Sequence, residues 1–449
     1  MGAATQYSLP PGPPEPRFLQ TLAWIARPYP FMERCRQRYG DIFTLKVANE
    51  GTWVFLSDPE HVKQVFTGDP NLLHAGEANV VLLPIVGSQS VLLLDEGAHI
   101  AQRKLLLPSF HGERMQRYGE LMTEIARDEI ARWPTGEAFA LWPRMQAVTL
   151  EVIMRAVFGI EDADRLTRLR ALLRHMLDWT TQPLRLLPLA TLGPVRVDRL
   201  GLFGRAKRPV DEMLIEEIRR RRDDPSVVER DDVLSLLVQA RHENGEQMSD
   251  EELRDELLTL LVAGHETTAT ALAWAIERLV RHPGKLERLS DEVMAGDDGY
   301  VDAVAKETLR LRPVLPIVIR RLTAPMEIGG HVLPPETGLC PCIYLVHRRP
   351  DVYPDPYDFR PERFLEQPAG TYTWIPFGGG IRRCLGASFA LFEMKVVLSE
   401  IVRSLSLRPA RPGREHVSRR AIALTPNRGA EVIATPRVRN ADPVELAAA

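Results

Sequence analysis

A single cysteine stands in the glycine-rich segment formed by residues 374–386. The segment reads Trp-Ile-Pro-Phe-Gly-Gly-Gly-Ile-Arg-Arg-Cys-Leu-Gly, and a helical pattern follows it over residues 387–403. A cysteine just before a helix meets free backbone N–H groups and the positive end of the helix dipole, which both favour the thiolate. We therefore expect Cys384 to act as a thiolate ligand, with the glycines at 378–380 letting the backbone approach something large and flat.

The cysteine has no second cysteine or histidine near it in the sequence. One thiolate suits a single axial bond to haem iron, whereas a structural zinc site needs four ligands. Six positions form the pattern Phe377-Gly378-x-Gly380-x-Arg382-x-Cys384-x-Gly386. This pattern resembles the haem-binding signature of the cytochrome P450 family. The alternative is a buried structural cysteine in a glycine-rich turn.

The resemblance implies a cofactor and a set of residues that bind it. The cofactor would be heme b, iron protoporphyrin IX. Cys384 would be the proximal ligand of the iron, Arg382 would pair with a haem propionate, and Phe377, Gly378 and Gly386 would complete the binding loop. In this family the electron-donating thiolate favours cleavage of the O–O bond.

A second segment, residues 249–281, is predicted to form a long helix with candidate functional residues at its centre. Ser249 and Glu252 form a capping box, and the helical pattern continues from there to Arg281. The length is about 30 residues, or roughly 45 Å at the helical rise per residue. At the centre stands Ala-Gly-His-Glu-Thr-Thr, residues 263–268. Glycine, glutamate and threonine in a buried helix centre violate local preference, and such violations are often functional.

This centre resembles the oxygen-binding motif of the same family, an acid followed by an alcohol. Ala263 and Gly264 leave room for a flat ligand, and Thr267 can bond back to the carbonyl of Ala263 and open a groove. The resemblance implies that Thr267 holds dioxygen with its water and that Glu266 passes protons inward. A zinc-protease helix would need a second histidine where Ala269 stands, so zinc is rejected. The remaining alternative is a kinked core helix with a solvated glutamate.

Haem carries two propionates, so several cations should converge on it. His99 and Arg103 are four residues apart on a predicted helix, and they match the family's propionate-binding pattern. Arg320 aligns with the family's strand arginine, and the adjacent Arg321 is the alternative. Together with Arg382 these residues would form the propionate-binding set, since arginine suits clustered carboxylate recognition.

Two further segments resemble the structural triad of the family. Glu307 and Arg310 place opposite charges three residues apart on one helix face. Arg363 follows within the sequence Pro-Glu-Arg-Phe at residues 361–364. If the triad is buried, breaking it costs much, because removing one charge strands the others. We therefore assign these residues to folding of the haem pocket rather than to catalysis.

The composition is that of an ordinary globular protein. The 449 residues carry a formal net charge of −3, which gives no reason to expect nucleic acid as a partner. Four irregularly spaced cysteines do not form a disulfide framework. The apolar stretch at 18–26 is far shorter than the ~20 residues that span a bilayer, and the apolar run at 257–276 carries His265 and Glu266. We expect no membrane anchor and a cytoplasmic protein.

The pattern along the chain indicates a mainly α protein with small β-sheets. The resemblance implies the cytochrome P450 fold, with haem between the long distal helix and the cysteine loop. One domain is expected over residues 1–449, with a proline-rich lead-in at 1–16 and a loose tail at 436–449. Helices are predicted over residues 30–39, 98–115, 117–133, 139–160, 163–181 and 199–222, and strands near 42–47, 53–56, 314–345 and 422–433.

The arginines at 219–222 are interpreted as a solvated helix end. The apolar segment at 80–94 is a loop that either lines the substrate pocket or belongs to the core.

The resemblance covers nearly the whole chain and implies a haem-thiolate monooxygenase. One oxygen atom of O2 would leave as water, and the other would enter a C–H bond or a double bond of a hydrophobic substrate. Electrons would come from a separate ferredoxin with its reductase, or from a flavodoxin-type donor, docked near Arg383, Lys104 and Lys395. Rival functions are a peroxide-driven haem enzyme, an isomerase or dehydratase on the same fold, and a haem-binding sensor without turnover.

Overall fold

The structure, a computed structural model, describes residues 6–110, 114–160, 162–181, 188 and 192–437. The α-helices of these residues are, in chain order, α1 (Arg17–Ala26), α2 (Pro28–Tyr39), α3 (Pro59–Phe66), α4 (Leu83–Val86), α5 (Glu96–Leu106), α6 (Arg114–Ile130), α7 (Trp142–Ile153), α8 (Ala163–Thr181), α9 (Pro194–Arg199), α10 (Gly204–Asp223), α11 (Val233–Gln239), α12 (Asp250–Val280), α13 (Pro283–Met294), α14 (Gly299–Leu311), α15 (Ile343–Val346), α16 (Arg363–Glu366) and α17 (Ala387–Ser404). Short 3-10 turns lie at Glu77–Leu82, Leu107–Phe110, Val227–Glu229 and Gly380–Arg382, and a π-helical turn at Met154–Phe158 extends α7.

The β-strands are β1 (Ile42–Val47), β2 (Gly51–Leu56), β3 (Leu73–His74), β4 (Ala138–Ala140), β5 (Arg320–Leu322), β6 (Met326–Ile328), β7 (His331–Leu333), β8 (Gly338–Pro341), β9 (Leu405–Pro409), β10 (Val417–Arg420), β11 (Ala423–Pro426) and β12 (Glu431–Pro436). The largest sheet has the order β1-β2-β8-β5-β3, and smaller sheets are β4-β12-β9, β10-β11 and β6-β7. Within the large sheet, Arg320 of β5 lies opposite Leu339 of β8. Helices around small, separate sheets agree with the predicted fold class.

The long helix α12 forms the centre of the main core. Its cap is the predicted one: the Glu252 N–H donates to Ser249 Oγ at 3.1 Å, and the Ser249 N–H donates to Glu252 Oε2 at 2.6 Å. The helix packs against α7, α10, α14 and α17, and most of its residues from Leu253 to Val280 are buried. A helix that is buried nearly all round can expose only a short stretch to a ligand.

Three predicted helices have different bounds in the structure. The helix expected over residues 98–115 ends at Leu106, because Pro108 cannot continue the backbone hydrogen-bond ladder. The helix expected over 139–160 begins only at Trp142, after strand β4, and its first turn contains Pro143. The helix expected over 199–222 begins only at Gly204, because Gly201 turns the chain between α9 and α10 with a φ of 60°.

The apolar segment at residues 80–94 is not simply a loop. It contains the end of the 3-10 turn Glu77–Leu82 and the single-turn helix α4. The lack of a clear period in the sequence has a physical cause, since α4 is only four residues long, has Pro84 in its first turn and is capped by Gly87. Several of its side chains are only partly covered, and Val86, Ser90 and Val91 are buried.

The arginine-rich end of α10 is only partly solvated. Arg220 is exposed and pairs with Glu216, four residues earlier on the helix, at 3.1 Å. Arg221, however, is buried, and it contacts Glu217 at 3.3 Å and Asp232 at 2.5 Å. The interpretation of the whole cluster as a solvated end was therefore wrong for Arg221, because a carboxylate distant in sequence covers it.

The ends of the described chain are held by backbone contacts. The proline-rich lead-in lies along β1, where the Thr44 N–H donates to the carbonyl of Pro11 at 2.9 Å. Strand β12 ends at Pro436, and the Arg437 N–H donates to the carbonyl of Ser404 at 3.0 Å. The tail from residue 438 and most of the connection at 183–194 lie outside the described residues. Across the described chain, no helix combines the length and the apolar character needed to cross a membrane.

Candidate functional site

The Cys384 loop is closed by backbone hydrogen bonds. The Cys384 N–H donates to the carbonyl of Phe377 at 2.9 Å, and the Gly378 N–H donates to the carbonyl of Ile375 at 3.0 Å. Helix α17 begins three residues after the cysteine, with Gly386 as its cap residue. The loop therefore presents one accessible cysteine side chain at the start of a buried helix.

The helix start does not by itself make Cys384 a thiolate. Desolvation by the surrounding protein atoms raises the pKa of the thiol even though the residue is accessible, and the opposing effects of the Gly386 N–H and of the Arg103 and Arg383 guanidinium groups are smaller. A bound metal ion would reverse this balance, because a coordinated thiol loses its proton.

Two of the loop glycines serve a neighbouring protein group. A Cβ atom at Gly379 would overlap the Phe66 ring, and one at Gly380 would overlap the Phe66 carbonyl. Gly380 also has a φ of 65°, which favours glycine. The glycines at 379 and 380 thus let the loop pack closely on α3. By contrast, a Cβ at Gly386 would meet nothing within 4 Å in the described chain.

Four basic side chains converge beside the cysteine loop. Burial lowers the pKa of His99 to about 3, and the nearby charges of Arg382, Arg103 and Arg320 lower it further. Burial also lowers the pKa of Arg320 to about 10 and that of Arg382 to about 10. In the described part of the chain, the buried Nδ1 atom of His99 has no hydrogen-bond partner. Such a cluster of cations calls for carboxylate ligands.

The strand arginine of this cluster is Arg320 and not Arg321. Arg320 is buried on β5 and interacts electrostatically with Arg382 and Asp95. Arg321 is directed elsewhere, because its guanidinium lies 3.5 Å from Glu336 and 3.9 Å from Glu50. The alternation of side chains along a strand explains why neighbours point to opposite faces.

Asp95 is a site residue that the sequence analysis missed. Its carboxylate forms an ion pair with Arg382. It also accepts the N–H groups of Ala75 and Gly76 at 2.8 Å and that of Glu77 at 3.0 Å. A lone aspartate before α5 looks like an ordinary helix cap, so no local signal distinguished it.

Residues 87–95 connect the cysteine loop to the long helix, and we call them the bridging segment. On one side, Arg382 Nη1 donates to the carbonyl of Val91 at 3.2 Å, and Arg382 also contacts the carbonyl of Leu94. On the other side, the Val91 N–H donates to Glu256 Oε1 of α12 at 2.7 Å. Thr259 Oγ1 donates to Ser90 Oγ at 2.6 Å. The bridging segment is therefore hydrogen-bonded both to the cysteine loop and to α12.

Glu256 should make stability depend on pH. Burial raises its pKa from 4.5 to about 8, against the smaller opposing effect of the Val91 N–H. Between these values the folded state keeps a proton that the unfolded state releases, so stability falls as the pH rises from about 5 to about 8, by at most about 1.4 kcal/mol per pH unit. Urea unfolding of Glu256→Gln should lack this slope, whereas Glu251→Gln, at an exposed position on the same helix, should keep it. Identical slopes for wild type and Glu256→Gln would contradict the assignment.

The centre of α12 opens at Ala263. Ala263 is exposed, whereas its neighbours Val262 and Gly264 are half-buried, and Thr267 Oγ1 donates to the Ala263 carbonyl at 2.5 Å. This confirms the predicted bond within the helix. A Cβ at Gly264 would lie 2.8 Å from Ile153 Cδ1 of α7. Gly264 thus permits close helix packing, and Ala263 is the exposed residue of this stretch.

Glu266 lies on α12 beside Arg420 of β10. Their ion pair spans 3.5 Å between Arg420 Nε and Glu266 Oε1. Burial raises the pKa of Glu266, and Arg420 opposes that shift. Arg420 also stacks over the Trp142 ring at 4.5 Å, and Trp142 Nε1 donates to Thr270 Oγ1 at 3.1 Å. The acid is therefore partly buried yet connected to the surface through an arginine.

The triad predicted from the sequence is present and buried. Glu307 and Arg310 are fully buried and lie 2.7 Å apart, and Arg363 Nε is 3.2 Å from Glu307. His347, which sequence reasoning missed, extends this network to the cysteine loop. Its Nε2 accepts the Ile375 N–H at 2.8 Å, and its Nδ1 lies 3.2 Å from the Arg310 carbonyl. Burial holds the His347 pKa well below its usual range, so the ring is neutral and donates from Nδ1.

The three cations expected to attract an electron donor differ in their surroundings. Lys104 is 61% exposed and pairs with Glu243 at 2.8 Å, and Lys395 pairs with Asp298. Arg383 is exposed and lies close enough to Cys384 to affect its thiol. Two of these positive charges are therefore partly balanced by acidic neighbours.

These groups fit a haem. A lone cysteine sulfur is accessible, an alanine opens the helix centre, and buried cations with an orphaned His99 nitrogen match a ligand that carries carboxylates. The family model for cytochrome P450 matches residues 10–433, so the chain belongs to the cytochrome P450 family. It is accordingly a haem-dependent monooxygenase.

The relatives agree with this assignment. The chain is 43% identical over 444 residues to a Mycobacterium bovis protein named cytochrome P450 135B1, covering 96% of this chain and 92% of the relative. It is 38% identical over 441 residues to a Mycobacterium tuberculosis protein named cytochrome P450 135A1, covering 98% of each. The fold is similar to that of retinoic acid bound cyanobacterial CYP120A1, with a TM-score of 0.83 and 24% identity over 96% of this chain and 100% of that one. The predicted family, fold class, cofactor and enzyme class are confirmed.

Proposed function

We propose that the protein transfers one oxygen atom of O2 to a hydrophobic organic substrate, by hydroxylation or epoxidation, with electrons from a separate ferredoxin. The observation that supports this most directly is the combination of an accessible Cys384 with a cation cluster and an opened helix centre. Incorporation of labelled oxygen from O2 into product tests it. A product without label would instead favour the isomerase or dehydratase function.

In this proposal Cys384 is the proximal iron ligand. Phe377, Gly378 and Gly386 form the loop beside the cofactor. The propionates are held by the basic residues described above, namely His99, Arg103, Arg320 and Arg382. Bound haem supplies the oxygen-activating chemistry, while the protein excludes water and orients the groups around it. The whole chain, residues 1–449, would act as one domain.

Glu266 and Thr267 would move protons into the site. Thr267 Oγ1 donates its hydrogen to the carbonyl of Ala263, so its oxygen lone pairs remain available to accept a hydrogen bond from a water. The raised pKa of Glu266 suits an acid that gives up a proton and regains it. Its partner Arg420 is partly exposed, which places Glu266 near the surface.

Replacing Thr267 with alanine should uncouple reductant consumption from product formation. We expect product per reductant to fall by about a hundredfold or more, because positioned proton transfer contributes on that scale. The measurement is product, peroxide and reductant in the same reaction. Thr267→Ser keeps the hydroxyl and should stay near wild type. Equal coupling in wild type and Thr267→Ala would favour a peroxide-driven enzyme that does not need this residue.

Reversing the charge of Arg383 should slow reduction by an acidic ferredoxin. We expect about a tenfold loss at low salt that shrinks as salt is added, because charges on a docking surface act mainly on association. Lys104→Glu should have a smaller effect, since Glu243 already balances Lys104. Arg219→Glu, at an exposed arginine on α10, is the control. Unchanged reduction rates and salt dependence would exclude this docking surface.

The substrate is proposed to be apolar, such as a fatty acid, a terpenoid or a steroid. The apolar residues at 80–94 and at 314–318 support this class. A screen for compounds that shift the haem absorption spectrum would identify the substrate. A sensor without turnover is the remaining candidate, and substrate-dependent consumption of reductant would exclude it.

A further inference from the structure

Helix α1 carries its apolar side chains on the outside. Phe18, Leu22 and Ile25 are 65%, 60% and 50% exposed, and Leu19 is 42% exposed. Spacings of four and three residues place the first three on one helix face, with Leu19 at its edge. We call this face the α1 stripe. A contiguous apolar surface of this kind marks a contact site.

The inner face of α1 is the more polar one. Gln20 is buried, where its Nε2 donates to the carbonyl of Glu15 at 2.7 Å and its Oε1 accepts the Lys46 N–H at 2.8 Å. Trp24 is buried beside it, with its ring 5.6 Å from that of Phe55. These contacts fix the rotation of the helix, so the α1 stripe cannot turn inward without breaking them.

Arginines flank the α1 stripe at both ends. Residues 17–39, which form α1 and α2, contain five arginines against one glutamate, although the whole chain has a net charge of −3. Arg36 is paired with Asp41 at 2.8 Å. Arg17 and Arg27, at the two ends of α1, and Arg34 on α2 are exposed. The charge of this surface is therefore complementary to an anionic partner.

We propose that the α1 stripe docks the protein on the surface of an anionic lipid bilayer. A helix with an apolar stripe and flanking arginines lies in the plane of the interface, with its apolar side chains at the acyl boundary and its cations among the headgroups. At 10 residues α1 is too short to span the bilayer. The acyl boundary accepts such a stripe without a shaped pocket, which a protein partner would have to provide.

Vesicle co-sedimentation of the full-length haem-loaded protein tests this proposal. We expect binding to vesicles of equal parts phosphatidylcholine and phosphatidylglycerol, weaker binding to phosphatidylcholine alone, and weakening by salt. Leu22→Glu with Ile25→Glu should lower the partition coefficient at least about tenfold, because two buried apolar side chains are replaced by anions. Met294→Glu, at a side chain 63% exposed on α13, should leave binding unchanged.

Other occupants of the α1 stripe give different results. Absence of binding to anionic vesicles, or full binding by the Leu22→Glu, Ile25→Glu variant, would overturn the proposal. A wild-type dimer that becomes a monomer in this variant, without vesicle binding, would assign the stripe to a second copy of the chain. Vesicle binding that appears only after deletion of residues 438–449 would assign it to the chain's own tail. Binding is measured without turnover, so its outcome is independent of the proposed reaction.

Discussion

Replacing Cys384 with serine will abolish the thiolate-type spectrum of the reduced, carbon-monoxide-bound protein and, with it, product formation. Serine is nearly the same size, but its hydroxyl stays protonated where a thiol bound to a metal ion does not. The backbone bond from residue 384 to the Phe377 carbonyl does not depend on the side chain, so the loop should keep its fold. The carbon monoxide difference spectrum and the haem content measure the two effects separately.

Cys35 provides the matched control. Its side chain is buried among α2 and β-sheet residues, and burial raises the pKa of its thiol to about 12, so it behaves as a small apolar group. Cys35→Ala should therefore keep the wild-type spectrum at a modest cost in stability. A thiolate-type spectrum that survives Cys384→Ser would show that Cys384 is not the ligand of the haem iron. Wild-type protein that stays colourless after haem supplementation would show that the protein does not bind haem.

The second large effect is on stability. Changing Glu307 to glutamine will destabilise the fold by about 3–5 kcal/mol, because two arginines lose their shared carboxylate in the buried interior. Arg310 is fully buried, and its remaining partners are the carbonyls of His347, Pro356 and Asp358. Chemical denaturation followed by fluorescence gives the change in unfolding free energy, and haem retention shows whether the cysteine loop loosens at the same time.

Glu366→Gln is the matched control for this variant. Glu366 also pairs with an arginine, Arg360, but both are about half exposed. Exposed pairs contribute about 1 kcal/mol or less, so this change should be small. Equal losses of unfolding free energy for Glu307→Gln and Glu366→Gln would mean that burial does not increase the contribution of the triad to stability. A stable Glu307→Gln variant that loses haem would instead assign the triad to the cofactor rather than to the fold.

Local patterns predicted the parts of the site that depend on neighbouring residues. The capping box at Ser249, the bond from Thr267 to Ala263 and the pair Glu307–Arg310 all lie within four residues of chain. The Cys384 motif is similarly compact. Such features follow from helix geometry and side-chain chemistry, which the sequence displays directly.

Contacts between distant residues could not be predicted in the same way. Arg382 and Asp95 are separated by 287 residues, and Val91 and Glu256 by 165. The glycines illustrate the same limit, because the sequence did not show that Gly264 adjoins Ile153 and that Gly380 adjoins Phe66. A glycine in the sequence indicates that another group lies close to the backbone. It does not show whether that group belongs to the protein or to a ligand.

The bridging segment has a mechanical consequence. It is bonded through Val91 to a carboxylate of α12 and, through the same residue's carbonyl, to Arg382 in the cysteine loop. A bulky ligand that displaces the bridging segment must lengthen both hydrogen bonds of Val91 together. A ligand that displaces the bridging segment near α12 would therefore also move Arg382 in the cysteine loop. The size of the bound ligand is thus mechanically coupled to the position of the proposed propionate-binding arginine.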